Sequence, residues 1–260
     1  MNTLIKTKDY TIHFYEKTYN NKLNVVSLVN FLQEIAGDHS TDCGCGREEL
    51  VKKDLAWILY KWKIKLIRCP EYKEKITIKT WSSSLDGLYA DRCFRILDES
   101  GNVIGDVLST WVILNLSQRR VIRIPPEILK LYNEISIGDK VLNESKRVVI
   151  PSFSVPPVNT DLYKIRNHDT DENGHVNNAK YLEFALDGYS PEFLSNHEIK
   201  LIDILYKKEC FLNDTISIER YDSTSDDELS EPNNKSYTTL IKPQNATNKE
   251  LNCMVKIEWA

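Results

Sequence analysis

IKLIRCPEYKEKITIKTW, residues 64–81, can be laid over ILYKKECFLNDTISIERY, residues 204–221, at a constant offset of 140 (204 − 64). Ile76 and Ile78 then fall on Ile216 and Ile218, and Trp81 falls on Tyr221. Self-similarity at a fixed offset is the mark of a duplicated unit. In both copies the isoleucines recur every second residue, the period of a strand with one face buried.

Working outward, each copy follows a helix and precedes further strands. In NVVSLVNFLQEIA, residues 24–36, the positions Val25, Leu28, Val29, Leu32, Ile35 and Ala36 keep helical spacing behind Asn24, a capping residue type. In WILYKWKIKLI, residues 57–67, Ile58, Tyr60, Trp62, Ile64 and Leu66 alternate with Leu59, Lys61, Lys63 and Lys65. That alternation predicts a half-buried antiparallel strand with one oily and one mostly basic face. Further strands are expected at 75–81, 88–97 and 103–114, with Ser100-Gly101-Asn102 as turn chemistry between the last two. Residues 125–160, bracketed by Pro125-Pro126 and Pro156-Pro157, read as a connector with one short helix near 126–133. A second helix is expected at about 176–187, and strands near 199–210, 214–221, 236–242 and 252–259.

Each half is thus a helix with a run of antiparallel strands, an α+β class in which a sheet wraps a long apolar helix. Two such units side by side would form an intramolecular pseudo-dimer. The expected division is 1–130, a linker at 131–155, and 156–260. Residues 222–236, DSTSDDELSEPNNKS, are almost devoid of apolar side chains and read as a long mobile hairpin loop.

The chain of 260 residues has a net charge of −4, 28% charged and 41% hydrophobic residues. This balance argues against a nucleic-acid binder, and no apolar run reaches the length of a membrane span. The amino terminus has no signal-peptide pattern, and six scattered cysteines suit a reducing compartment, so a cytoplasmic protein is expected. Cys43 and Cys45, near Asp38 and His39, match no common zinc spacing, and no metal or cofactor is expected.

The densest polar cluster runs from Arg166 to Tyr181, just before the second helix. If it approaches in extended form, Asp171, Asn173 and His175 project to one side. The N–H groups at the helix start would point to the same place, where they could meet a developing oxyanion. A carboxylate, an amide, an imidazole and free N–H groups are what acyl transfer requires. The bland alternative is a polar loop with a capping side chain. The matching approach to the first helix, Thr18-Tyr19-Asn20-Asn21-Lys22-Leu23-Asn24, has neither histidine nor acid.

The motif Asp171-x-Asn173-x-His175-Val176-Asn177-Asn178-x-Lys180-Tyr181, with Glu209-Cys210 downstream, resembles the acyl-acyl carrier protein thioesterases of fatty acid synthesis, tandem hot-dog proteins of plants and bacteria. The resemblance extends to Leu32-Gln33-Glu34 and His39 in the first half. It implies a hydrolase that releases free fatty acid from acyl-acyl carrier protein and ends chain elongation, here of bacterial type. Glu209 would be the general base that activates water. Asp171, Asn173 and His175 would orient and polarise the thioester, with Asn177 and Asn178 binding substrate. An older family reading makes Cys210 the nucleophile. Glu209 and Cys210 are neighbours on an expected strand, so they would face opposite sides and one of them alone could meet His175; Glu209 is favoured. Gly174, where plant relatives commonly carry a longer polar residue, is expected to loosen the loop.

The implied partner is acyl carrier protein bearing acyl-phosphopantetheine, small and acidic, with no nucleic acid or membrane; the chain would be a monomer or a homodimer. A basic surface is then expected, either Lys61, Lys63 and Lys65 or Arg119, Arg120 and Arg123. The acyl tail is expected in the first half, between the helix and Trp57, Ile58, Tyr60 and Trp62. The alternatives are an acyl-CoA thioesterase and a non-catalytic acyl-carrier-binding protein.

Overall fold

Asn24 starts the first helix as its residue type suggests, its side chain accepting the Val26 N–H at 2.9 Å. The structure, a computed structural model, describes residues 4–135, 137–142, 150, 153–223, 234–246 and 250–260. It divides into two units, Met1–Glu144 and Ser145–Ala260.

In the first unit α1 (Val25–Asp42) buries Leu28, Val29, Leu32 and Ile35 completely and runs beyond the expected Ala36, with α2 (Arg47–Val51) after it. The strands are β1 (Lys6–Thr11), β2 (Leu55–Leu66), β3 (Lys75–Leu85), β4 (Ala90–Leu97), β5 (Val103–Asn115) and β6 (Arg120–Ile122). They form an antiparallel sheet in the order β1-β3-β4-β5-β2, with β6 hydrogen-bonded to β5. The short helix α3 (Pro126–Ile135) follows.

The second unit repeats this plan. Its helices are α4 (Asn178–Leu186) and α5 (Pro191–Asn196), and its strands β7 (Asn159–Lys164), β8 (Ile199–Tyr206), β9 (Thr215–Asp222), β10 (Lys235–Pro243) and β11 (Cys253–Trp259). The order β7-β9-β10-β11-β8 matches that of the first unit strand for strand, as a duplication requires. Each unit is a hot-dog fold, a helix laid on an antiparallel sheet. β1 and β7 were not expected, because their residues are too polar for alternation to stand out. The 222–236 stretch leaves β9 and β10 paired, and residues 224–233 lie outside the described residues, as do 143–149 and 151–152 of the connector.

One expectation fails on β2. The ladder to β5 shifts between Leu59 and Lys61, so Tyr60 is an extra residue in a β-bulge. A bulge advances the chain by one and exchanges the faces of everything beyond it. Leu55 and Leu59 are buried before it, and Trp62, Ile64 and Leu66 after it. Ile58, Tyr60 and Trp62 therefore do not share the continuous oily face that simple alternation implied, and Lys61 is buried rather than displayed.

Candidate active site

The approach to α4 is a tight turn, not the extended segment that alternation suggested. The Asp171 N–H donates to the His175 carbonyl at 2.8 Å, and the Gly174 N–H to the Asp171 carbonyl at 3.0 Å. The Asp171 carboxylate accepts the Asn173 backbone N–H at 2.8 Å, with the Asn173 amide at 3.5 Å. Gly174 sits at φ +76°, so it closes the turn rather than loosening it. An aspartate bonded to the backbone two residues on is a device for reversing the chain. The contact between the Asp171 and Asn173 side chains therefore comes from the turn, while the His175 side chain makes its contacts elsewhere.

Two fastenings hold this turn in place. The Val176 N–H donates to the Cys210 carbonyl at 2.9 Å, and the Asn177 N–H to the Asp169 carbonyl at 2.8 Å. Buried Asp169 accepts the Arg166 N–H at 2.8 Å and the Tyr163 hydroxyl at 3.0 Å. Asn177 caps α4 through the Ala179 N–H at 2.9 Å. The N–H groups of Val176, Asn177 and Ala179 are thus bonded within the protein, which removes them as donors to an oxyanion. The side chain of Asn177 is a helix cap, and the Asn178 carbonyl accepts the Tyr206 hydroxyl at 2.9 Å.

His175 meets Glu209 across the turn, with 3.4 Å between Nε2 and Oε2. Their side chains are 27% and 37% exposed, so water reaches both. Phe211 packs edge-on to the imidazole at 5.1 Å and fixes its plane. Glu209 and Cys210 lie beyond the end of β8 at Tyr206, so the strand argument for their opposite facing does not apply. They differ in environment nonetheless. Cys210 is 1% exposed, its amide donates to the Tyr181 hydroxyl at 3.2 Å, and burial pushes its thiol up to about 11. At neutral pH it is a protonated thiol, the unreactive form.

Sequence reading missed Asn252, which precedes β11 and is 4% exposed. Its carbonyl accepts the N–H groups of Lys207 (2.8 Å) and Lys208 (3.1 Å). Its side-chain amide donates to the carbonyls of Lys208 and Glu209, both at 3.3 Å. A lone asparagine 43 residues from Glu209 carries no motif signal.

The other expected residues distribute as follows. Trp57 is half-buried, donates its indole N–H to the Cys45 carbonyl at 3.3 Å and packs on Tyr132 at 5.3 Å. Ile58 and Tyr60 are half-buried, the latter against Tyr89. Trp62 is fully buried against Phe94 and is a core residue. His39 and the two nearby cysteines are buried, with the Arg92 guanidinium 2.7 Å from His39 Nδ1, an unsuitable neighbour for a metal cation. Of the basic candidates, Lys61 is buried, Lys63 half-buried and Lys65 exposed, whereas Arg119, Arg120 and Arg123 are all exposed on and beside the β5–β6 hairpin. That hairpin is tied by Asp54, whose carboxylate accepts the Ser117 N–H (3.1 Å) and hydroxyl (2.8 Å), beside exposed Lys52 and Lys53.

Known proteins share this architecture. Residues 4–132 match the acyl-ACP thioesterase N-terminal domain family, and residues 157–260 the acyl-ACP thioesterase C-terminal domain family. The oleoyl-acyl carrier protein thioesterase 2 of Arabidopsis thaliana chloroplasts is 29% identical over 221 residues, 80% of this chain and 60% of that protein. The palmitoyl-acyl carrier protein thioesterase of Cuphea hookeriana chloroplasts is 26% identical, over 80% of this chain and 52% of that one. The chain thus spans between half and three fifths of these relatives. A crystal structure of an acyl-ACP thioesterase from Bacteroides thetaiotaomicron is 26% identical with a TM-score of 0.84, over 99% of this chain and 98% of that one. The 12:0-ACP thioesterase from Umbellularia californica, 20% identical, shares the fold with a TM-score of 0.87, over 100% of this chain and 95% of that one.

Proposed function

The chain belongs to the acyl-ACP thioesterase family, and from that premise we propose that it hydrolyses the thioester of an acyl chain carried on acyl carrier protein, releasing the free fatty acid and ending chain elongation. The observation that carries this reading is the His175–Glu209 contact at 3.4 Å, on a turn fastened at both ends and open to water.

Glu209 takes a proton from water as the water oxygen attacks the thioester carbonyl. The tetrahedral oxyanion is met by the His175 imidazole and the Asn173 amide, since the N–H groups of Val176, Asn177 and Ala179 are engaged. Collapse breaks the C–S bond, and the proton held by Glu209 passes to the departing thiolate. One water is consumed, and one acid and one thiol form. Asp171 acts one step back by anchoring the turn that presents Asn173 and His175. The buried, protonated state of Cys210 favours this water-attack route over an acyl-enzyme.

The acyl tail is assigned to the first unit, beside Trp57, whose ring faces the apolar cluster of Leu55, Ile113, Ile128 and Tyr132. The acidic carrier is assigned to the Arg119, Arg120 and Arg123 hairpin, where three exposed cations lie close in sequence, because on β2 Lys61 is buried and Lys63 half-buried, leaving Lys65 exposed. Six cysteines, all free, support a reducing compartment, the cytoplasm.

The test is thiol release from acyl carrier protein and from CoA thioesters of the same chain. Replacing the three hairpin arginines by glutamate should raise KM about tenfold for the carrier substrate and leave the CoA substrate unchanged. Equal effects on both substrates would remove the hairpin as a docking surface. Preference of the wild type for CoA would make it an acyl-CoA thioesterase, and no release from either would leave a binding protein.

A further inference from the structure

Asn252 joins the loop that carries Glu209 by four hydrogen bonds, two from its carbonyl and two from its side-chain amide. An amide NH2 has two hydrogens, and here one goes to the Lys208 carbonyl and one to the Glu209 carbonyl. Beyond Glu209 the chain is held again, by the Cys210 N–H on Tyr181 and the Cys210 carbonyl on Val176. Glu209 is therefore clamped on both sides of its Cα, and Asn252 grips the peptide group on each side, through the Lys208 and Glu209 carbonyls.

The first unit provides the control. There Ile104 holds the corresponding place, its carbonyl accepting the N–H groups of Ile67 (2.9 Å) and Arg68 (3.4 Å) as the Asn252 carbonyl accepts those of Lys207 and Lys208. Ile104 is buried and apolar, and the loop it holds carries Cys69 where the second unit carries Glu209. The fold thus builds this junction without a side-chain amide. Moreover, Asn252 Oδ1 is buried with no hydrogen-bond partner among the described residues, a desolvation cost that Ile104 does not incur. A buried amide that the fold can omit, present at the loop bearing the acid, calls for a reason in the reaction.

We propose that Asn252 is a positioning residue for Glu209, its amide setting where the carboxylate stands against His175. The inference rests on the thioesterase reading above, and carboxylate placement is a term on which rate depends steeply.

The experiment replaces Asn252 by isoleucine, the residue of the first unit, and by aspartate, which keeps the shape and loses both donors. Each is made in the wild type and in a Glu209→Gln background, with kcat, KM and thermal midpoint measured on an acyl-carrier thioester. Both single variants should lose about 10–100-fold in kcat with KM within about twofold. Asn252→Ile should melt no lower than the wild type. In the Glu209→Gln background neither substitution should lower kcat further, since there is no longer a base to position. A kcat for Asn252→Ile and Asn252→Asp within about threefold of wild type overturns the proposal. So does a full additional loss in the Glu209→Gln background, which is what a general structural role would give. Should Asn252→Ile fail to fold, Asn252→Asp decides the matter by the same two criteria. Full activity of Glu209→Gln itself would instead sink the assignment of the base, a separate result.

Discussion

The turn before α1 and the turn before α4 are the same piece of backbone with opposite chemistry. Thr18 N–H donates to the Lys22 carbonyl at 2.8 Å where Asp171 donates to His175 at 2.8 Å. Leu23 donates to Pro70 as Val176 does to Cys210, and Asn24 to Glu16 as Asn177 does to Asp169. Buried Glu16 accepts the His13 N–H at 2.7 Å as Asp169 accepts that of Arg166. On this shared frame, Asp171, Glu172, His175 and Glu209 are replaced by Thr18, Tyr19, Lys22 and Cys69. Lys17 stands over the rings of Phe14 and Tyr72 at 5.1 and 5.0 Å, and the Cys69 thiol turns back to the Leu23 carbonyl at 3.1 Å. The turn is therefore a structural device first. Chemistry was placed on one copy of it.

The largest expected effect separates the two copies outright. Glu209→Gln and His175→Ala should each lower kcat about 10²–10⁴-fold, the range of general base catalysis. Cys69→Ala and Lys22→Ala, at the equivalent places, should leave kcat unchanged. Loss of activity in the first-unit variants would mean that both corners take part in the reaction.

Much of this was legible in the sequence, and the failures have physical causes. The helix cap at Asn24, the repeat at offset 140 and the polar cluster at 166–181 are local patterns, and local patterns persist in the fold. Ahead of the helices the offset is 153, as in Asn24 and Asn177, because the helical segment of the first unit is longer. The bulge at Tyr60 has no such signature, since an extra residue in a strand is defined by its partner across the ladder. Asn252 was illegible for a related reason: its partner is 43 residues away in a loop.

A smaller effect concerns Cys210, the neighbour of the active carboxylate. Cys210→Ala should keep kcat within about threefold of wild type, and the native thiol should resist iodoacetamide at pH 8. Its pKa of about 11 lies above the ordinary 9.0, so the stability it contributes is present below pH 9 and is lost as pH rises toward 11. Cys45, also raised to about 11 by burial, acts in the same window. Urea midpoints measured from pH 8 to 11 should fall across that range, and Cys210→Ala should flatten the fall. Rapid labelling of Cys210 at pH 8 would reopen it as nucleophile.

The two helix caps should behave alike in stability and unlike in function. Asn24→Ala and Asn177→Ala each remove one side-chain acceptor from a helix start, so each should cost about 1 kcal/mol in denaturant unfolding. Asn177 is also two residues from His175, and its loss should lower kcat where that of Asn24 does not. Equal and unchanged kcat in both would show that the catalytic turn holds its shape without the cap.

The smallest effect tests whether the frames are interchangeable at their tightest point. Gly174 at φ +76° and Asn21 at φ +63° occupy the same place in the two turns, both in the left-handed region. Asparagine enters that region more easily than other side chains, and branched residues enter it least easily. Beyond Gly174 and its two chain neighbours, no atom of the described residues lies within 4 Å of a Cβ built there, so a side chain meets conformational strain and no clash. Gly174→Asn should therefore change stability by no more than about 0.5 kcal/mol, whereas Gly174→Val should cost about 1–2 kcal/mol. Thermal unfolding of the two variants, together with Asn21→Gly, measures the difference. If Gly174→Asn destabilises as strongly as Gly174→Val, the turns are similar in hydrogen bonding alone. If it is neutral and fully active, the backbone of the first unit can carry the chemistry of the second, and the side chains at 171, 175 and 209 hold the distinction between them, since Asn173 has Asn20 as its counterpart.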